Sequence, residues 1–187
     1  MISNKSYFII LSIGVLLYTY ALFYYPASIN HDDSLFFINA ISNYSVLDFS
    51  PHFPGYPTFI LFLKLVNIIF EDNSFTLHFV NIFSTIACMI FASLIVKRFT
   101  SNIYALSVVI LLCNSSVILF SSLVMMSDSF GLALFLCSFY LLIKDYTKSS
   151  SILLGFALWS RPSYIILVLA LLLYKKDLKY FLYFILT

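Results

Sequence analysis

Charged side chains are scarce in this 187-residue chain. Asp, Glu, Lys and Arg make up only 10% of it and hydrophobic residues 62%, whereas a soluble domain carries about 25% charged residues. A chain this short cannot enclose so much apolar surface in a core of its own, so lipid must be the solvent for much of it. The composition therefore excludes an ordinary soluble domain and predicts an integral membrane protein of the all-α class.

A basic block and a cysteine framework are also missing. The net charge is only +2, and without a run of basic residues we expect no nucleic-acid partner. Cys88, Cys113 and Cys137 all lie within apolar segments, where cysteine behaves as a small core or lipid-facing residue. The three cysteines therefore predict neither a disulfide scaffold nor a metal centre.

Long apolar runs are what the chain has in abundance. A helix needs about 20 apolar residues to cross the hydrocarbon core of a bilayer, and residues 7–25, 75–96 and 103–120 meet that length. The first run is longer than the apolar region of a signal peptide, and Ala27-Ser28 makes a poor cleavage site. We therefore predict an uncleaved first span.

Two later runs complete a predicted polytopic helical bundle. Residues 129–143 are somewhat short but extend backwards through the apolar residues 123–126, and residues 151–174 are interrupted by Arg161-Pro162. Proline removes a backbone donor and clashes with the preceding turn, so this run is either a helical hairpin or one kinked span. In both cases Arg161 lies near mid-depth, where a charge is costly and commonly functional.

The basic residues predict the orientation, because Lys and Arg near helix ends favour the cytoplasmic side. They form four clusters: Lys5, Lys97-Arg98, Lys144 with Lys148, and Lys175, Lys176 and Lys179. All four lie on one side only if residues 59–70 do not span. We therefore predict a multi-pass protein with a cytoplasmic N-terminus. Residues 59–70 become an interfacial helix with Lys64, Asn67 and Glu71 on one polar face, and a spanning helix is the alternative.

Residues 26–74 then form the first outer loop of a single transmembrane domain covering residues 1–187. Residues 34–44 predict a second interfacial helix, with Leu35, Ile38 and Ile41 along one side. The pair Asp32-Asp33 lies just before it, immediately after the first span. Two adjacent carboxylates at a membrane boundary are costly, and they lie where an aqueous site can meet a lipid-borne substrate.

Three carboxylates, Asp32, Asp33 and Asp128, share the outer face in this topology. A carboxylate can act as a general base toward an acceptor hydroxyl or amine. A carboxylate pair can also hold a divalent cation, Mg²⁺ or Mn²⁺, which would clamp a phosphate. Asp32 and Asp33 alone are too few ligands to decide whether a metal binds.

Basic and aromatic side chains complete the predicted site. Arg161 can reach a phosphate from within the bundle, and His31 and His52 can donate hydrogen bonds to a phosphate or to sugar hydroxyls. His52 and Tyr56 lie in the proline-punctuated run at residues 51–57. We group all four with Asp128 as candidate substrate-binding residues, and Asp32 and Asp33 are the candidate catalytic residues.

Each of these residues also has a purely structural interpretation. Asp33 and Asp128 both precede apolar helical segments and can cap them, and Arg161 can snorkel or pair with a structural partner. The run at residues 51–57 can be no more than a rigid turn. The order of the features favours a shared site: a span, a carboxylate pair, an interfacial helix, a Pro-Gly-Tyr-Pro turn, and a carboxylate at the outer end of a later span.

That order resembles the multi-spanning glycosyltransferases of the GT-C fold, which include the protein O-mannosyltransferases and the lipid A aminoarabinose transferases. The resemblance lies in His-Asp-Asp at 31–33, Pro-His-Phe-Pro-Gly-Tyr-Pro at 51–57, Met-Ser-Asp-Ser at 126–129 and Gly-Phe-Ala-Leu-Trp-Ser-Arg-Pro at 155–162. It implies that Asp32, with Asp33 as its neighbour, is the catalytic base. It further implies that Asp128 organises the donor site and that Arg161 is its basic residue.

The resemblance also implies the substrates. The donor would be a polyprenyl-phosphate-linked sugar, and the acceptor a lipid, glycan or protein on the outer side. Members of this family usually extend well beyond 187 residues, so we expect the chain to be the amino-terminal part of such an enzyme. A transporter or flippase fragment and a non-catalytic membrane scaffold are the alternatives.

Overall fold

A computed structural model describes residues 2–25 and 32–187, which are mostly helical and contain no strand. The predicted all-α class is confirmed. Ten α-helices follow one another in the described residues: α1 Asn4–Tyr24, α2 Asp32–Ser42, α3 Pro57–Phe70, α4 Asn73–Phe99, α5 Asn102–Cys113, α6 Ser116–Leu123, α7 Asp128–Ile143, α8 Thr147–Ser160, α9 Ile165–Lys175 and α10 Leu178–Ile185.

Two of these helices, α1 and α4, are long and apolar enough to cross a membrane. Their 21 and 27 residues give lengths of about 32 and 40 Å at 1.5 Å per residue, enough for a hydrocarbon core of about 30 Å. The Asp72 carboxylate begins α4 by accepting the N–H of Phe75 at 2.9 Å. Lys97 and Arg98 occupy its last turn, where positive charge favours the negative end of the helix dipole.

The run predicted as one span over residues 103–120 is divided into α5 and α6, which meet at an angle of 59°. Asn114 explains the break. Its backbone N–H and its side-chain amide both donate to the carbonyl of Ile110, the latter at 2.8 Å. A side chain that bonds to a helix carbonyl in this way competes with the backbone hydrogen bonds that would continue the helix.

The run over residues 151–174 is broken where the sequence predicts. Helix α8 ends at Ser160, Arg161 is extended, and Pro162 begins a 3₁₀ turn, Pro162–Tyr164, that leads into α9. The residue before a proline is driven out of the helical region by the proline ring, which accounts for the extended Arg161.

The predicted polar face of α3 is partly exposed, since Glu71 is exposed and Lys64 and Asn67 are half-buried. The Asn67 amide donates to Asn73 at 3.0 Å, and its carbonyl oxygen accepts the Thr76 hydroxyl at 2.8 Å. The side chain of Asn67 thus joins α3 to α4, and the interfacial position of α3 stays a prediction. The exposed large side chains of α3 are apolar, as expected of a lipid-facing surface: Leu61, Phe62, Leu65, Ile68 and Ile69.

A buried aromatic core holds α2 and α3 against α4 and α7. Phe37 of α2 lies at its centre, with its ring edge-on to Tyr56 and to Phe59 at 5.2 Å each. The Ser34 hydroxyl ties the start of α2 to the carbonyl of Val124 at 2.5 Å. These contacts fix the first turn of α2 beside the start of α7 and beside the turn that precedes α3.

Candidate functional site

A chain of polar contacts connects Asp33 in α2 to Asp128 at the start of α7. His52 Nδ1 is 3.6 Å from the Asp33 carboxylate, and His52 Nε2 is 3.0 Å from the Tyr56 hydroxyl. The Arg161 guanidinium lies 5.8 Å from the centre of the Tyr56 ring and 3.0 Å from the Asp128 carboxylate. We call these five residues the polar cluster.

The start of α2 positions the two adjacent carboxylates. Both lie in its first turn, where negative charge favours the positive end of the helix dipole. Asp33 is half-buried beside His52, whereas Asp32 is exposed. Asp33 lies inside the helix, so its interpretation as the N-cap is wrong; Asp128 likewise follows the N-cap Ser127 and is the first residue of α7.

The proline-rich loop presents His52 to the polar cluster. The Ser50 hydroxyl closes the loop onto the carbonyl of Asn43 at 2.6 Å. Gly55 has φ +93°, and a Cβ there would lie 2.7 Å from the Tyr44 hydroxyl, so only glycine fits. The loop is therefore a tight turn that fixes the position of the His52 imidazole.

Tyr56 is the buried centre of the polar cluster. Its backbone has φ 45°, a left-handed conformation that costs a non-glycine residue of order 1–3 kcal/mol and often marks a functional site. Burial raises the pKa of Tyr56, and the neighbouring Arg161 opposes that shift only in part. The phenol therefore stays neutral at physiological pH and can hydrogen-bond to His52.

Arg161 is held by α7 but keeps one donor unused. Besides Asp128, it contacts the Ser127 hydroxyl at 3.4 Å through Nη1. Its Nε is buried and has no hydrogen-bond partner within the described part of the chain. A buried donor without a partner is rare in proteins, so this nitrogen has an unused capacity to bind a hydrogen-bond acceptor.

Gly131 allows the break after α8 to pack closely on α7. A Cβ on Gly131 would lie 2.9 Å from both Arg161 Cβ and Tyr164 Cε2. The Tyr164 hydroxyl donates to the carbonyl of Asp128 at 2.9 Å. The absence of a side chain at position 131 thus brings Arg161 into contact with Asp128.

An apolar groove of about 430 Å³ opens between α3, α4, α7 and α8. Phe130, two residues after Asp128, packs on Phe62 at 5.0 Å and lines the groove. The next lining residues on α7 are Ala133, Leu134 and Cys137, so the groove follows α7 for about 10 Å from the polar cluster.

The structure brings most of the predicted site together. Asp32 is one residue from the polar cluster but exposed, and His31 lies outside the described residues. Ser127, Gly131 and Tyr164 were not predicted as site residues. Only the short motifs around Asp128 and Arg161 could have indicated them. The polar cluster contains the remaining five predicted residues: Asp33, His52, Tyr56, Asp128 and Arg161.

The predicted divalent cation finds few ligands. Residues 2–25 and 32–187 contain no group of three or more His, Cys, Asp or Glu side chains that could hold a metal ion. Asp33 faces His52 and Asp128 faces Arg161. Asp32 and Asp33 therefore gain no third ligand from the described residues.

Chemically, the arrangement combines an anion-binding donor with an adjoining apolar surface. Such a site suits an amphiphile that has a negatively charged head and a hydrocarbon tail. No family model, curated protein or solved structure matches this chain. The polar cluster and the groove are therefore the observations from which a function can be inferred.

Proposed function

We propose that this protein is an integral membrane glycosyltransferase that moves a sugar from a polyprenyl-phosphate donor to an acceptor on the outer face. One pair of features supports this most: Arg161 has a buried donor without a partner in the described residues, and an almost entirely apolar groove begins at Phe130, two residues after the Asp128 that pairs with Arg161. The donor substrate has the matching chemistry, a phosphate joined to a long hydrocarbon chain.

The proposed topology is multi-pass, with the N-terminus in the cytoplasm and the polar cluster outside. Helices α1 and α4 cross the membrane, the bent pair α5 and α6 forms a third passage, and the short apolar helices α7 and α9 complete the bundle. Lys97 and Arg98 lie in the last turn of α4 and Lys144 follows α7, and basic residues at helix ends favour the cytoplasmic side. Helices α2 and α3 then lie in the outer interface.

The groove would hold the polyprenyl chain and Arg161 the phosphate. The guanidinium is already oriented by Asp128 at 3.0 Å and by Ser127 at 3.4 Å, so little reorganisation is needed when the anion arrives. In this assignment Asp128 orients the arginine and does not itself touch the phosphate. His52 and Tyr56 supply hydrogen bonds to sugar hydroxyls.

The proposed reaction is a single displacement. Asp32 removes the proton from the acceptor nucleophile as the nucleophile attacks the anomeric carbon. The bond from that carbon to the phosphate oxygen breaks, and the lipid phosphate leaves with the electron pair, stabilised by Arg161. The anomeric configuration inverts, because attack and departure occur on opposite faces. The exposure of Asp32 supports its role, since an incoming acceptor must reach it.

The decisive test compares two carboxylate variants in native membranes supplied with a polyprenyl-phosphate sugar. Asp32→Asn removes the base, and we expect transfer to fall by about 10² to 10⁴-fold. Glu71→Gln is the matched control, because Glu71 is an exposed carboxylate at the end of α3 and lies outside the polar cluster.

Unchanged transfer in Asp32→Asn would remove Asp32 from the mechanism. Absence of transfer by the unmodified chain, at matched expression, would contradict the enzyme assignment and favour the scaffold alternative.

A transporter is the second candidate, and the helix broken at Arg161-Pro162 favours it, because broken helices commonly form transport sites. A transporter would translocate a labelled lipid phosphate across vesicles without forming a glycosylated product. The same preparation can therefore separate the two functions by following lipid movement and product together.

A further inference from the structure

A second polar cavity lies at the other end of α7, where α1, α4 and α7 meet. It has a volume of about 260 Å³ and is lined by Phe8, Leu94, Lys97, Arg98, Tyr140 and Lys144. We call these six residues the basic cleft. Its three charged residues are Lys97 and Arg98 in the last turn of α4 and Lys144, which directly follows α7.

The charges of the basic cleft are all of one sign. Within residues 2–25 and 32–187, no acidic side chain lines the cleft and none forms an ion pair with its three cations. The neighbouring Asp145 lines a different cavity, together with Lys148 and Asp177. Three like charges around one small cavity repel one another, and the repulsion is relieved when an anion enters.

Aromatic rings hold two of the cations in place without neutralising them. Lys97 Nζ lies 3.9 Å from the centre of the Tyr7 ring and 4.2 Å from that of Phe8. Lys144 Nζ lies 5.8 Å from the centre of the Tyr140 ring. A cation over a ring gains electrostatic stabilisation and keeps its full charge, so the cleft stays positive and partly preorganised.

Helix dipoles explain why each of these cations lies at the end of its own helix, but they do not explain why all three line the same cavity. Lys97 and Arg98 suit the end of α4, and Lys144 suits the end of α7. The dipoles do not require two helices to direct their cations into one cavity whose walls include Phe8 and Leu94. Cations beside apolar side chains match a phosphate on a hydrocarbon chain.

We propose that the basic cleft is a binding site for a phosphate group, and that an anionic phospholipid supplies it. The Lys and Arg side chains neutralise the phosphate, the Tyr140 hydroxyl can donate to one of its oxygens, and Phe8 and Leu94 contact the first part of an acyl chain. This site is separate from the polar cluster, which lies at the opposite end of α7, and it does not depend on glycosyl transfer.

The test measures lipid retention by the purified full chain in a neutral detergent, using native mass spectrometry. The probes are phosphatidylglycerol and phosphatidylcholine with identical acyl chains. We expect the unmodified protein to retain phosphatidylglycerol about tenfold more strongly, as an energy difference of about 1.4 kcal/mol corresponds to a factor of ten. The variant Lys97→Gln/Arg98→Gln/Lys144→Gln should lose that preference.

Two matched variants separate the cleft from general charge effects. Lys175→Gln/Lys176→Gln/Lys179→Gln removes the same charge outside the cleft and should keep the preference. Lys97→Arg/Arg98→Lys/Lys144→Arg retains the cleft charge and should also keep it, which distinguishes lost binding from misfolding. The proposal is overturned if the glutamine cleft variant keeps the preference, or if the control variant loses it equally.

A competition arm identifies the source of the phosphate. Inorganic phosphate and glycerol 3-phosphate are added at millimolar concentration to the lipid-bound protein. Retention of the lipid supports the phospholipid as ligand, because the acyl-chain contacts add to the affinity. Displacement by inorganic phosphate would overturn the lipid assignment, since the phosphate group alone would then account for binding.

Discussion

The polar cluster and the basic cleft lie at opposite ends of α7, about 24 Å apart along its 16 residues, and they handle charge in opposite ways. In the polar cluster each carboxylate lies beside a basic side chain, and all five members are half-buried or buried. In the basic cleft all charges are positive, and Arg98 and Lys144 are exposed. The difference shows how burial governs the pairing of charges.

A half-buried charge loses much of its hydration, so the fold must supply its partner. Arg161 is therefore paired with Asp128. A ligand of the polar cluster can bind only to donors that are not used in this pair, such as the Arg161 Nε. An exposed charge keeps its water and can be left unpaired at little cost. The basic cleft can therefore present net charge to a ligand directly.

Removing one charge from each region gives the largest expected contrast. Arg161→Met leaves Asp128 without its partner, and we expect a loss of about 1–2 kcal/mol in the free energy of unfolding. This is less than the about 3–5 kcal/mol of a fully buried pair, because the two side chains are 21% and 35% exposed. Lys144→Gln in the basic cleft should change stability by less than about 0.5 kcal/mol.

The free energy of unfolding of both variants is measured by denaturant titration of the protein in a mild detergent. Far-UV circular dichroism follows the loss of helix. The double variant Arg161→Met/Asp128→Asn completes a cycle and should recover part of the loss, since no orphaned charge remains. Additive losses would mean that the pair is not coupled. If Arg161→Met and Lys144→Gln lost equal amounts of unfolding free energy, the proposed difference in charge pairing between the polar cluster and the basic cleft would be contradicted.

Gly131 tests whether close packing on α7 maintains the polar cluster. Gly131→Ala places a Cβ 2.9 Å from Arg161 Cβ and Tyr164 Cε2, and we expect a loss of about 1–2 kcal/mol, typical of overpacking. Gly14→Ala is the control, because nothing lies within 4 Å of its added Cβ. That variant should be neutral or more stable by up to about 1 kcal/mol, as alanine favours helix.

Thermal unfolding of the two alanine variants side by side decides this prediction. Destabilisation confined to Gly131→Ala supports close contact between α7 and the break after α8. If both variants behave alike, the packing at Gly131 is looser than the structure shows.

The sequence predicts those parts of the molecule that depend on local chemistry. The all-α class follows from composition, and the break at Arg161-Pro162 follows from proline geometry alone. The bend at Asn114 was missed because its cause, a side-chain hydrogen bond to Ile110, leaves the apolar pattern of residues 103–120 unchanged. A hydropathy pattern reports burial and is insensitive to such a bond.

The partners of polar side chains are the part that sequence reasoning could not supply. Asn67 has the spacing of a solvent-facing residue, yet it bonds to Asn73 and Thr76. Short motifs selected Asp33, His52 and Asp128 one by one, but which of them meet depends on how α2, α3 and α7 pack. Such pairings join residues far apart in the sequence, so no periodicity records them.

The smallest expected effect concerns the Tyr56 hydroxyl at the centre of the polar cluster. Tyr56→Phe removes the 3.0 Å hydrogen bond to His52 Nε2 and keeps the ring that packs on Phe37. We expect a loss of about 0.5–1.5 kcal/mol in the free energy of unfolding near neutral pH. Lys144→Gln again serves as the reference, with no comparable loss.

The pH dependence of this loss distinguishes a buried phenol from an exposed one. Burial raises the pKa of Tyr56 above its ordinary value of 10.0, so the folded state holds the phenolic proton more tightly than the unfolded state. The contribution of the hydroxyl is therefore complete below about pH 10 and falls as the pH rises toward the raised value. The stability difference between the unmodified protein and Tyr56→Phe should stay constant up to about pH 10 and shrink as the pH rises above it. A difference that stays constant above that pH would show that the phenol titrates as in water, and it would contradict the burial of Tyr56 in the polar cluster.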